Sequence, residues 1–264
     1  MNNFLLKGDV WLNALRASYK LIRLLLHIGM GLWTISFVFP NLSKPQKEER
    51  IQAWALTLLA QLAIKLIVIG KPPSTGPVLL AANHISWLDI VVMHAARYCR
   101  FVSKSDVKHW PLIGTLASAA GTLFIERESR RDALRVVHHM AEQLQAGDVL
   151  AIFPEGTTSD GLTLLPFHAN LFQAAIAAQA PVMPVALQLI DLVSGQPSLA
   201  PCYINDDTMI GSIWRTLSAP PLCAVLHFGE PQLAQGRDRR AWATDLHMAV
   251  AQLLSSRRHI DPLN

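Results

Sequence analysis

The sequence predicts an α/β domain: a mixed, largely buried sheet flanked by helices, with an N-terminal membrane-embedded helical hairpin ahead of it. Three observations carry this. Short apolar runs recur between residues 77 and 189 without a polar residue at every second position, the pattern of strands covered on both faces. Helical stretches separate these runs, and such alternation is how α/β domains are written. The chain is 51% hydrophobic and only 16% charged, more apolar than an ordinary soluble domain, and the excess gathers before residue 72.

From Leu24 to Pro40 the chain is almost uncharged, and Lys7, Arg16, Lys20 and Arg23 precede that stretch. A break at Pro40, Pro45 and the charged run Lys47–Arg50 follows, and then Ile51 to Gly70 is apolar again apart from Lys65. A spanning helix needs roughly 20 apolar residues, so the first stretch is marginal and the second is interrupted. The long basic flank, the late apolar run and the lack of a small-residue cleavage site argue against a signal peptide. Three readings stand: a spanning helix followed by an amphipathic one, a hairpin embedded in one leaflet, or two buried helices of the domain. The hairpin is favoured, so residues 1–72 are assigned to anchoring and 73–264 to the catalytic domain.

The linker Lys71–Gly76 is rich in turn residues, and the apolar run to Ala82 reads as a buried strand that delivers Asn83 and His84 to its end. Residues 101–103, 122–125, 149–153, 182–189 and 223–228 read as further strands. Residues 129–146, with Met140 and Leu144 on one face and Gly147 as the stop, read as an amphipathic helix. Helices are also expected at 169–180 and 238–256. The stretch between about 200 and 222, with Pro201, Pro220 and Pro221, reads as irregular.

A net charge of +4 suits an anionic membrane face. No dense Lys/Arg stripe with interleaved aromatics is present, which argues against a nucleic-acid partner. Cys99, Cys202 and Cys223 are scattered; they make neither a disulfide framework nor a metal-ligand spacing, and the setting is read as reducing, with no metal and no cofactor expected.

Chemistry concentrates in two segments, Asn83–Asp89 (NHISWLD) and Phe153–Ser159 (FPEGTTS). In the first, His84 and Asp89 supply what a general base needs: an imidazole that takes a proton near neutral pH and a carboxylate that fixes its tautomer. Taken alone the pair also fits a plainer description, with Asp89 as a first-turn helix residue facing the dipole and His84 as a polar loop residue. No G-x-S-x-G elbow is present and the cysteines lie outside both segments, so the base would act on a hydroxyl of the substrate.

Four blocks stand in order: NHISWLD, Gly121–Arg127 (GTLFIER), FPEGTTS and, more loosely, Val182–Ala186. Over roughly residues 75–190 this resembles the glycerolipid acyltransferase family, membrane enzymes that acylate glycerol phosphate, lysophosphatidic acid and related lysolipids, with a membrane-associated helical segment ahead of the first block. The resemblance implies direct transfer from an acyl carrier protein or coenzyme A thioester to a lysolipid hydroxyl. His84 would be the base and Asp89 its partner. Arg127 matches the position that contacts an acceptor phosphate, and Glu155, Gly156, Thr157 and Thr158 match the third motif. Lys104 is a plausible second cation. Plainer roles fit the same residues: Arg127 paired with Glu126 or Glu128, Lys104 on the surface, and a purely structural Pro-Glu-Gly turn.

Phosphate-accepting members usually carry arginine where this chain has Thr158. FPEGTTSDG looks like the branch that acylates lyso-ornithine lipids, whose head group is an amino acid. An arginine such as Arg127 suits a carboxylate as well as a phosphate, so the acceptor stays open between the two lysolipids. The implied place is the cytoplasmic face of the inner membrane. Two rivals share these residues: a lipid thioesterase or hydrolase using His84 on water, and a non-catalytic membrane lipid-binding protein.

Overall fold

The computed structural model describes residues 2–126, 130–204 and 206–256. In chain order its elements are α1 (Asn2–Phe37), α2 (Lys44–Leu62), β1 (Ile64–Ile69), β2 (Val78–Ala82), α3 (Leu88–Ala96), β3 (Arg100–Lys104), α4 (Ile113–Ala119), β4 (Leu123–Ile125), α5 (Arg130–Gln145), β5 (Val149–Ile152), α6 (Gln173–Ala178), β6 (Val182–Asp191), α7 (Met209–Ser218), β7 (Leu222–Phe228) and α8 (Arg239–Ser255). The strands form one sheet in the order β1-β7-β6-β2-β5-β3-β4. Every neighbouring pair is parallel except β6 with β7, which is the mixed α/β sheet read from the sequence.

β2 shows why its run is apolar at every position. Val78, Leu80 and Ala82 enter the core on the side of α2 and α3, whereas Leu79 and Ala81 enter the core on the side of α5, α6 and α8. A strand with both faces covered has no use for polar alternation. Met140 and Leu144 of α5 and Trp242 and Leu246 of α8 are fully buried beneath the second face.

The N-terminal helices divide the apolar excess between them. α2 turns Ala55, Leu58, Leu59 and Leu62 into the core, while α1 leaves a stripe of large apolar residues exposed, including Leu15, Tyr19, Ile22, Leu26, Met30 and Trp33. Their spacing of three and four residues is one helical face. Residues 13–37 are long and apolar enough to cross a membrane. The two helices cross where His27 stacks on Trp54, with ring centroids 4.8 Å apart.

Of the second apolar stretch, residues 64–69 are strand β1, paired with β7 from Ile64↔Leu222 to Ile69↔His227. The sheet therefore begins ahead of residue 73. The helix-to-strand change falls at Ala63, which takes a left-handed conformation with φ +60°. Nothing in its residue type signals this, since glycine is the usual occupant of that position. α7 is also unforeseen: Pro201, Pro220 and Pro221 flank that helix and do not interrupt it.

At the edge where β2, β3 and β5 begin, Asp148 ties three elements together. Lys44 of α2 donates to it at 2.7 Å, and Arg100 of β3 donates to both Asp148 and Gln143 of α5. Burial pushes the Asp148 carboxyl up, but the bonds and charges of Lys44 and Arg100 outweigh it and hold the carboxyl below its ordinary range. A lowered folded-state pKa means stabilisation present above the unfolded carboxylate range and lost as pH falls through the folded value. Asp148→Asn is expected to lower the urea midpoint near neutral pH, and the gap to the unsubstituted protein to close in acid.

Candidate active site

The first and third motifs meet because β2 and β5 are neighbours and parallel, with Ala81 beside Ile152. Each strand ends at the residue immediately before its motif, at the edge of an open sheet where α/β proteins gather ligand sites. Asn83 fastens that edge. Its buried side-chain amide donates to the Leu187 carbonyl at 3.0 Å and accepts from the Leu187 N–H at 2.7 Å. The pair extends the contact between β2 and β6 past the last backbone rung.

His84 Nδ1 lies 2.7 Å from Asp89 Oδ2. A carboxylate only accepts, so Nδ1 carries the proton and Nε2 presents its lone pair. Among the described residues Nε2 has no hydrogen-bond partner, and the imidazole is 19% exposed whereas Asp89 is fully buried. The same Asp89 oxygen accepts from the backbone N–H of Ile85 at 2.6 Å and of Ser86 at 2.9 Å. Asp89 also stands in the first turn of α3, so the plain helix-start description and the partner description hold together. Phe153 stacks on the imidazole, centroids 3.9 Å apart and planes 9° from parallel.

Glu155 closes the ring of contacts. One oxygen accepts from the His84 N–H at 2.7 Å and the other from the Leu165 N–H at 2.9 Å. Burial raises its carboxyl pKa against the pull of those two donors. The His84 carbonyl accepts from the Ser159 N–H at 2.9 Å. Gly156 sits at φ +72°, and a Cβ there would meet the His168 ring at 2.7 Å, so only glycine fits without strain. Thr157 is exposed beside it. Thr158 Oγ1 donates to the Tyr203 carbonyl, and the Tyr203 N–H donates to the Ile85 carbonyl at 3.3 Å. The loop after β6 is thereby hung over both motifs.

His84, Asp89, Glu155, Gly156 and Thr158 are thus brought together. Lys104 is not part of that cluster. It ends β3, beside Ile125 of β4, exposed and without a hydrogen bond or ion pair among the described residues. Arg127 lies outside the described residues; Ile125 and Glu126 before it stand at the same edge of the sheet. Phe153 and Ser159 fall inside a motif the sequence singles out, yet their roles are spatial. Tyr203 carries no local signal at all.

An imidazole held by a buried carboxylate, with its second nitrogen open to solvent, can take a proton from a hydroxyl presented to it. Residues 63–188 match the family described as Acyltransferase. Over 89% of this chain and 92% of its own length, a Pseudomonas aeruginosa protein named lyso-ornithine lipid O-acyltransferase is 36% identical. A Neisseria gonorrhoeae protein named 1-acyl-sn-glycerol-3-phosphate acyltransferase is 44% identical over 75% of this chain and 77% of its own. The fold is also that of the crystal structure of the 1-acyl-sn-glycerophosphate acyltransferase of Thermotoga maritima, with a TM-score of 0.71 over 96% of this chain and 98% of that one at 18% identity. The chain belongs to the glycerolipid acyltransferase family, and its chemistry is acyl transfer.

Two substitutions probe the site's architecture. Gly156→Ala is expected to cost about 1–2 kcal/mol from the left-handed backbone alone, read as a lowered unfolding midpoint, with further loss from the His168 contact. Asp89→Asn keeps the shape but puts an amide where one carboxylate oxygen takes three donors. Turnover is expected to fall at least about a hundredfold, in line with what misplacing the tautomer of a catalytic histidine costs.

Proposed function

We propose that this chain is a membrane-bound O-acyltransferase that moves a fatty acyl group from an acyl carrier protein or coenzyme A thioester to the free hydroxyl of a lysolipid, with lyso-ornithine lipid as its acceptor. The observation that carries the chemistry is the 2.7 Å contact between His84 Nδ1 and Asp89, which leaves Nε2 to act. Nε2 removes the proton of the acceptor hydroxyl as its oxygen attacks the thioester carbonyl carbon. The C–S bond then breaks, an ester forms, and the imidazolium returns its proton to the departing thiolate. Asp89 steadies the positive imidazole between these steps. Thiolate is a good leaving group, so the protein's main tasks are holding the reactants in line and stabilising the developing oxyanion.

The acceptor assignment rests on Thr158. Its hydroxyl is occupied with the Tyr203 carbonyl, so the third motif offers no cation for a phosphate at that position. The Pseudomonas aeruginosa relative named lyso-ornithine lipid O-acyltransferase matches most of its length to this chain. Arg127 is the cation assigned to the acceptor's charged head group, a guanidinium fork that suits a carboxylate, with Lys104 as a second cation. Glu155 and Gly156 shape the loop floor, and Thr157 faces the acceptor. The exposed stripe of α1 supports embedding in the cytoplasmic face of the inner membrane, with α2 beneath it and the catalytic domain behind both.

The deciding experiment offers lyso-ornithine lipid and lysophosphatidic acid side by side with an acyl-carrier thioester, and follows both acylated lipid and free fatty acid. Acylated ornithine lipid is expected to dominate; preference for lysophosphatidic acid would overturn the acceptor assignment, and free acid as the main product would mean a thioesterase. His84→Ala is expected to lower turnover by about 10²- to 10⁴-fold. Turnover near that of the unsubstituted protein would sink the mechanism.

A further inference from the structure

α7 carries apolar residues on both of its faces: Leu217 is buried at 2% exposure and Ile213 packs on the same core, yet two more are turned outward. Ser212 and Thr216, one turn apart, are 0% and 3% exposed, whereas Ile210 and Trp214, also one turn apart, are 80% and 41% exposed. The buried hydroxyls are satisfied: Ser212 donates to the Pro201 carbonyl at 2.9 Å and accepts from Trp87 Nε1 at 3.2 Å, and Thr216 donates back to the Ser212 carbonyl at 2.8 Å. Leu217 and Ile213, with these hydroxyls beside them, already make the helix's contact with the core, so Ile210 and Trp214 serve no packing role there and remain exposed. Large apolar side chains grouped at a surface mark a contact.

Position identifies the contact. α7 packs against α1, whose exposed stripe is the surface read above as membrane-embedded. Cations flank the apolar stripe of α1, with Arg16, Lys20 and Arg23. Indole is a side chain of the membrane–water boundary. We propose that the outer face of α7 is a second lipid-contacting surface, with Ile210 and Trp214 entering the head-group boundary of an anionic bilayer beside α1; this rests on the membrane reading of α1.

The inner side of α7 gives that contact a role. Through Ser212 it holds Trp87 of the first motif, and Arg215 holds the Cys202 carbonyl at 2.7 Å and Asp207 with both terminal nitrogens. The next residue after Cys202 is Tyr203, which bridges Ile85 and Thr158. α7 therefore fixes the height of the site's mouth above the lipid surface, so that a lysolipid reaches His84 with its acyl chain still in the bilayer.

The test uses the full-length protein in vesicles of phosphatidylethanolamine and phosphatidylglycerol. The three native cysteines are buried, so Ile210→Cys takes an environment-sensitive fluorophore at one position, and Glu142→Cys on α5 provides an exposed reference on the other side of the sheet. The label at 210 is expected to be shifted to the blue and quenched by nitroxide lipids, while the reference stays open to iodide. The double variant Ile210→Glu/Trp214→Glu is expected to lose about tenfold or more of its turnover on vesicle-borne lysolipid and to stay within about twofold on a short-chain, monomeric one. Equal iodide access at the two labelled positions overturns the proposal. So does shielding that grows with the protein-to-lipid ratio, which assigns the face to a second copy, and so does equal loss on both acceptors. Absence of acyl transfer by the unsubstituted protein would refute the functional reading and leave the label measurement standing.

Discussion

Two buried carboxylates hold the reacting edge of this protein in shape, and both do so by accepting backbone N–H groups. Asp89 takes the amides of Ile85 and Ser86 together with the imidazole, and Glu155 takes those of His84 and Leu165. A charge removed from water is tolerated only with donors beside it; Asp89 gathers all three of its donors on Oδ2 and has none on Oδ1 among the described residues, and neither acid can move without leaving amides unpaired. Between them they clamp the backbone of His84 from one strand end and its ring from a helix start. Phe153 covers the ring's face. The histidine is left with one free nitrogen and almost no freedom.

The sheet makes this clamp possible. Parallel neighbours bring their C-terminal ends to one edge, so motifs about 65 residues apart in the chain become adjacent as soon as β2 and β5 pair. The opposite edge, with Asp148 between Lys44 and Arg100, is tied by its own polar cluster. Reactivity and fastening are thus placed at opposite ends of the same strands.

Much of this was legible in the residues. The strands at 78–82 and 149–152 are continuous apolar runs and those at 182–191 and 222–228 are mostly so, and the helices at 130–145 and 239–255 carry clear periods and stops, so local pattern was enough; at 100–104 only Phe101 and Val102 carried the signal. The pair His84 and Asp89 was readable because only four residues separate them across a single turn. What escaped has physical causes. β1 continues the apolar run of α2 without a break, and its boundary is an alanine in an unusual conformation. α7 hides because Ile210 and Trp214 face outward while Ser212 and Thr216 face inward beside Leu217, so no single apolar stripe marks its buried face. Tyr203 acts through its backbone, which residue type does not encode. The cluster of motif residues excludes Lys104, since the order of strands, and not the order of blocks, sets it two strands away from β2.

The loop after β6 touches the reacting edge through few attachments: a hydroxyl from Thr158, an amide to Ile85, and the hydroxyl of Ser212 that holds Trp87. Cys202 Sγ adds a longer contact to the Asp160 carbonyl, 3.7 Å, and among the described residues the loop makes no hydrogen bond to the clamp beyond these. Such a loop can be lengthened, shortened or exchanged over evolutionary time while the paired His84 and Asp89 stay clamped as they are, which is a route by which one scaffold diversifies the lipids it elaborates without reinventing its chemistry.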